Sequence, residues 1–128
     1  MIDRITLAVS DLNRSARFYD AVLATLGYDR RGDASLRAVT YGSPADGQGC
    51  FSIVSAEIGI VAPLVSCAHI AFAASSHDAV EAFHSAARQQ GAIDDVPPGV
   101  RSHYGRTCFL ASVQDPDGNR IEAIFSQS

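Results

Sequence analysis

The sequence runs through one pattern twice, and this repetition narrows the folds open to it more than any other feature. Ile5, Leu7 and Val9 alternate with Arg4, Thr6 and Ala8, the period of a strand with one apolar face. Ala16, Phe18, Tyr19, Val22, Leu23 and Leu26 then follow at helical spacing. Counting 65 residues on, Ile5 meets Ile70, Leu7 meets Phe72 and Phe18 meets Phe83. There Ile70, Phe72 and Ala74 alternate with His69, Ala71 and Ala73, and Val80, Phe83, Ala86 and Ala87 make a second apolar stripe. Asp11 or Asn13 offers an N-cap to the first helix, and Ser75 or Ser76 to the second. Gly27 and Gly91 stand where the helices should stop.

Hairpin signals follow each helix. In the first copy a strand is predicted near Leu36 to Tyr41, a turn at Ser43-Pro44-Ala45-Asp46-Gly47, and a returning strand from Cys50 to Ser55. In the second, a loop containing Pro97-Pro98-Gly99 leads to a strand around Thr107 to Val113. Asp115-Pro116-Asp117-Gly118-Asn119 then turns the chain into a last strand, Arg120 to Phe125. Matching Asp46-Gly47 with Asp117-Gly118 raises the offset to 71 in the hairpins. Two such units bury their apolar faces most simply as one α+β domain, 1–128. In it the sheets curve into a half-closed barrel with helices outside and a pocket inside. The modules are expected at about 1–62 and 63–128.

Composition excludes several function classes. Apolar residues make up 47% and charged residues 19% of the chain, which suits a globular domain. A net charge of -4 argues against a nucleic-acid surface or a polybasic membrane patch. No run of about 18 apolar residues is present to span a membrane. The opening residues lack the basic and apolar regions of a signal peptide. Cys50, Cys67 and Cys108, an odd and widely spaced set, read as reduced thiols, and the expected location is cytoplasmic.

Three motifs carry a family resemblance. They are Ile5-Thr6-Leu7-Ala8-Val9-Ser10-Asp11-Leu12 with Phe18-Tyr19 and Leu26-Gly27, then His69-Ile70-Ala71-Phe72, then Asp115-Pro116-Asp117-Gly118-Asn119-Arg120-Ile121-Glu122. In that order and spacing the chain resembles the glyoxalase/bleomycin resistance protein/dioxygenase superfamily, also called vicinal oxygen chelate proteins. The resemblance implies two tandem βαβββ modules around a cup, a homodimer, and a divalent metal (Zn, Fe, Mn or Ni) held from matching strand positions of both modules. Those positions fall on Arg4 and about Phe51 in the first module, and on His69 and Glu122 in the second.

His69 offers an imidazole nitrogen and Glu122 a carboxylate oxygen, a metal-ligating pair. Arg4 has no lone pair to give, so it cannot replace a ligand. It can pair with Glu122, present its planar fork to an anionic ligand, or simply reach solvent. Phe51 and Arg101 join Arg4 as candidate ligand-binding residues. The run Arg101-Ser102-His103-Tyr104-Gly105-Arg106 reads as a loop over the cup. Within it His103 and Tyr104 are candidate acid/base groups beside Glu122, unless Tyr104 only covers the core edge. His77 and His84, two turns apart on a helix, read as surface residues, and Asp94-Asp95 as a solvated turn. No nucleophile elbow or phosphate loop is present.

Two functions follow from the resemblance. One is binding of a small, anionic molecule with metal-assisted lyase, isomerase or dioxygenase chemistry. The other is metal-free sequestration of a ligand or drug by a protein with a degenerate metal site.

Overall fold

Both copies of the pattern fold into the same unit in the computed structural model, which describes residues 4–31, 37–43, 50–56, 68–103 and 105–127, His103 and Gln127 by backbone alone. The first unit runs β1 (Ile5–Val9), α1 (Leu12–Ala24), β2 (Asp29–Arg30), β3 (Ala38–Gly42) and β4 (Phe51–Ser55). The second runs β5 (His69–Ala73), α2 (His77–Gln89), β6 (Ile93–His103), β7 (Arg106–Gln114) and β8 (Arg120–Gln127). Each is a βαβββ module with one four-stranded sheet, ordered β1-β4-β3-β2 and β5-β8-β7-β6. The first and last strands of each module pair in parallel, so the intervening helix and hairpin act as a crossover. The expected division near 62/63, the Asp46-Gly47 turn, Leu36 and Cys67 lie outside the described residues.

Local chemistry explains where the helices begin and end. Asp11 caps α1 by accepting from the Arg14 N–H at 3.1 Å, and Ser76 caps α2 by accepting from the Ala79 N–H at 3.1 Å. Gly27 and Gly91 follow the helices with φ of 85° and 82°, a conformation that costs glycine nothing.

One apolar core joins the modules on the helix side of both sheets. Leu7, Val9, Phe51 and Ile53 of the first sheet and Ile70, Phe72, Val113, Ile121 and Ala123 of the second pack in a single cluster with the helices. At the junction the Phe51 and Phe72 rings meet edge to face, centroids 5.3 Å apart. Removing such a side chain from water stabilises the fold by about 1.5–3 kcal/mol. The opposite face of each sheet is left for other work.

Two polar ties reinforce this core. Asp20 on α1 holds Arg30 through two bonds of 2.9 and 2.8 Å and accepts from the Tyr41 hydroxyl at 2.9 Å. Partial burial pushes the Asp20 carboxyl up, but the hydrogen bonds from Arg30 and Tyr41 outweigh it and hold the group below its usual range.

The second tie uses the turn Asp115–Asn119. The buried Tyr19 hydroxyl of α1 donates to Asp115 Oδ2 at 2.6 Å. Asp115 also accepts from the backbone N–H groups of Asp117 and Asn119 and from the Asn119 amide. Asp117 takes the Ser10 hydroxyl and backbone N–H from the start of α1. The turn motif near the C-terminus is therefore a clamp on the first module. Burial above all, then the Asp115 charge and hydrogen bond, pushes the Tyr19 phenol far above its ordinary value.

Three expectations are corrected here. Pro97-Pro98-Gly99 is not a loop but part of β6, which runs along the sheet edge with register irregularities between Asp94 and Val96 and again between Val96 and Gly99. Proline lacks an N–H to donate, and an edge strand with bulges is where a sheet tolerates that loss. Asp94 and Asp95 accordingly sit in the strand rather than in a solvated turn. Asp94 bonds His84 of α2 at 2.9 Å, so His84 ties helix to strand instead of facing solvent freely. His77 likewise stacks on Phe109 at 4.2 Å.

Candidate functional site

Strand pairing decides which side chains share the face opposite the helices. In parallel pairs, partners point the same way. In the second sheet Ala71 pairs with Glu122 and His69 with Arg120, while Ser112 of β7 opposes Glu122. His69, Ala71, Arg120, Glu122 and Ser112 thus line the inner face. Ile70, Phe72, Ile121 and Val113 line the core face.

His69 and Glu122 meet there. His69 Nε2 lies 3.4 Å from Glu122 Oε2, with the Glu122 side chain 7% exposed and that of His69 49% exposed. A nearly buried carboxylate with one half-exposed imidazole beside it can hold a proton, accept one, or share an electrophile with the imidazole.

The matching positions of the first sheet need a correction. Ile5 pairs with Phe51 and Ile70 pairs with Ile121, so the offset on the last strands is 70, not 71. Ser52 therefore matches Glu122. Phe51 is one residue out, and one residue turns a strand side chain to the other face. Phe51 packs in the core against Tyr19, Tyr41 and Phe72, with ring centroids 5.1, 6.3 and 5.3 Å away. The buried Ser52 shares a 2.8 Å hydrogen bond with Thr40. Arg4 does match His69 and is exposed. Together with Ile5, Tyr28, Cys50, Phe51 and residues 70–73 it lines a cavity of about 220 Å³ between the first strands of the two modules. Phe51 thus borders this cavity although its ring is seated in the core.

The run Arg101–Arg106 is a hairpin rather than a long loop. β6 continues to His103, whose register partner is Arg106 at the start of β7. Arg101 pairs with Cys108, and its guanidinium lies over Gly99, 2.7 Å from where a Cβ would stand there. Arg106 donates to Ser126 at 2.7 Å. Tyr104 and the His103 side chain lie outside the described residues. Cys108 is buried and Cys50 half-buried, and neither forms a disulfide among the described residues.

A family model described as Glyoxalase/Bleomycin resistance protein/Dioxygenase superfamily matches residues 1–123. The chain belongs to this superfamily. The crystal structure of a glyoxalase/bleomycin resistance protein from Albidiferax ferrireducens T118 is 36% identical, covers 95% of this chain and 96% of its own, and superimposes with a TM-score of 0.81. A glyoxalase-related enzyme from Fulvimarina pelagi, 21% identical over 98% of this chain and 87% of its own, shares the fold with a TM-score of 0.72. So does a family enzyme from Burkholderia phytofirmans PsJN, 15% identical over 98% of both chains, with a TM-score of 0.70. No curated protein gives a significant match.

Members of the glyoxalase superfamily often bind divalent metals, and the donor set here can be tested against that habit. Three or four ligands are the usual minimum for zinc or non-haem iron. Among the described residues no three His, Cys, Asp or Glu side chains cluster to hold an ion. His69 and Glu122 supply two donors, while Arg4 and Ser52 occupy the matching places in the first module. The described residues of one chain do not complete a metal site. No helix of the described residues is long and apolar enough to cross a membrane.

Beyond the dyad, sequence reading missed Arg120, Ser112 and Asp95. Ser112 Oγ donates to Asp95 Oδ2 at 2.9 Å, and Arg120 Nε donates to Ser112 Oγ at 3.0 Å. Counting back two residues from Glu122 places Arg120 on the same face, a signal the sequence did contain. The bulge that brings in Asp95 left no comparable mark.

Proposed function

We propose that this superfamily member binds a small anionic molecule on its inner face, against His69 and Glu122, with Arg4 and Arg101 as further cationic contacts. The observation that supports this reading best is the 3.4 Å approach of His69 to a nearly buried Glu122 on a sheet face that the core does not use. A nearly buried carboxylate calls for a compensating partner, and His69 stands within reach as one. In this reading Glu122 is the proton acceptor or donor, assisted by His103 and Tyr104. A two-fold dimer, the commonest closed assembly, is proposed as the working form.

Metal-assisted lyase, isomerase or dioxygenase chemistry is the second reading, favoured by the His69–Glu122 donor pair. It needs donors from outside the described residues or from a partner copy. Metal analysis of untagged protein, followed by turnover assays on methylglyoxal–thiol adducts and on catechols, separates the two. Stoichiometric metal with turnover supports the enzyme. Ligand binding without metal or turnover, under metal supplementation, supports sequestration.

A further inference from the structure

Among the described residues, Arg120 is held by one corner only. Its Nε lies 2.8 Å from Asp95 Oδ2 and 3.0 Å from Ser112 Oγ, and those two acceptors are themselves linked at 2.9 Å. Its two terminal nitrogens make no hydrogen bond to a described residue, although the side chain is only 44% exposed. The backbone seats it beside both dyad members, since it pairs with His69 across the strands and precedes Glu122 by two residues on β8. An arginine normally loses much side-chain entropy on gripping a ligand; one already fixed at Nε has lost part of it beforehand.

We propose that Arg120 is the anion-recognition residue of the inner face, presenting both terminal nitrogens end-on to a carboxylate of the ligand. This rests on the reading that the inner face is the ligand site. Geometry selects the mode: the side-on fork needs Nε, which Asp95 and Ser112 occupy, so the two Nη atoms form the available bidentate pair. Charge selects the class. Asp95 already offsets the guanidinium and Glu122 adds a second carboxylate on the same face, which disfavours a phosphate dianion and suits a ligand with a single negative charge. The bulge in β6 has a role in this arrangement, because it is what places Asp95 beside Arg120.

The test uses full-length protein labelled with ¹⁵N-arginine and ¹³C-histidine, titrated with benzoate and with its neutral isostere benzamide. The Arg120 Nε–Hε signal is identified by its loss in Arg120→Lys. Benzoate is expected to move this signal and the His69 ring signals together and saturably, with benzamide leaving the Arg120 signal in place. Arg120→Lys keeps the charge but loses the planar fork, and is expected to weaken benzoate about tenfold while retaining a folded spectrum. If benzoate moves the His69 signals but neither the Arg120 signal nor the affinity of Arg120→Lys changes, the assignment of Arg120 is overturned and the inner-face reading stands. If neither compound moves His69 or Arg120, both are overturned.

Discussion

Tyr19 of the first module donates a 2.6 Å hydrogen bond to Asp115 of the second, and this contact explains why the turn Asp115–Asn119 has the composition it does. Asp115 closes its own turn with three further bonds while accepting the phenol. Tyr19→Phe is expected to destabilise the protein by about 1.5–3 kcal/mol, the usual worth of a hydrogen bond to a charged group. Asp115→Ala is expected to cost more, because Tyr19 and Asn119 both lose a partner. Urea unfolding of the two variants checks the order.

The same phenol predicts alkaline sensitivity. Its folded pKa is raised above the unfolded value of 10.0, so the folded state keeps a proton that the unfolded state releases. That contribution is complete below pH 10 and is lost progressively as pH climbs above it. Tyr41, also raised, mainly by burial and then by Asp20, acts in the same direction. Asp20 has the opposite sign: its lowered pKa stabilises above about pH 3.8, and the effect fades as pH falls through the folded value. Stability measured from pH 8 to 11 should decline in the wild type and decline less in Tyr19→Phe.

Register separates two neighbours on β4. Phe51→Ala empties a core position beneath three aromatic rings and is expected to cost about 3–5 kcal/mol. Ser52→Ala loses one hydrogen bond to Thr40 and is expected to cost about 1 kcal/mol. Equal effects in chemical denaturation would contradict the assignment of Ser52 to the inner face.

Most of the architecture could be read from periodicity, and what could not has specific causes. Ile5, Leu7 and Val9 and their echo at Ile70 and Phe72 reveal strand, face and repeat because burial imposes period two. Hairpin register is different: it depends on turn geometry, and matching Asp46-Gly47 with Asp117-Gly118 slipped by one residue and exchanged Phe51 for Ser52. Pro97-Pro98 looks like a loop to any local rule, since only its place at a sheet edge makes it a strand. His69 and Glu122 came from the family resemblance, and the repeat then put Arg4 at the place matching His69. Asp95 was not, because a bulge breaks the alternation that would have announced it.

Arg4 stands at the first module's counterpart of His69, so Arg4→His tests whether the metal positions are otherwise ready. With His69 and Glu122 already 3.4 Å apart, a third donor is expected to bring measurable zinc or nickel uptake by calorimetry where the wild type shows little. Unchanged uptake would mean that the first module has moved out of reach of the pair.

In the proposed function the inner face beside His69 and Glu122 is where this protein meets its ligand. A crystal structure of the protein soaked with a small monocarboxylate tests it most directly. Density for the molecule is expected within hydrogen-bonding reach of the His69–Glu122 pair, with its carboxylate toward Arg120. Density confined instead to the cleft of about 360 Å³ lined by Arg14, Arg17, Gln90 and Gln114, on the helix side, would contradict it.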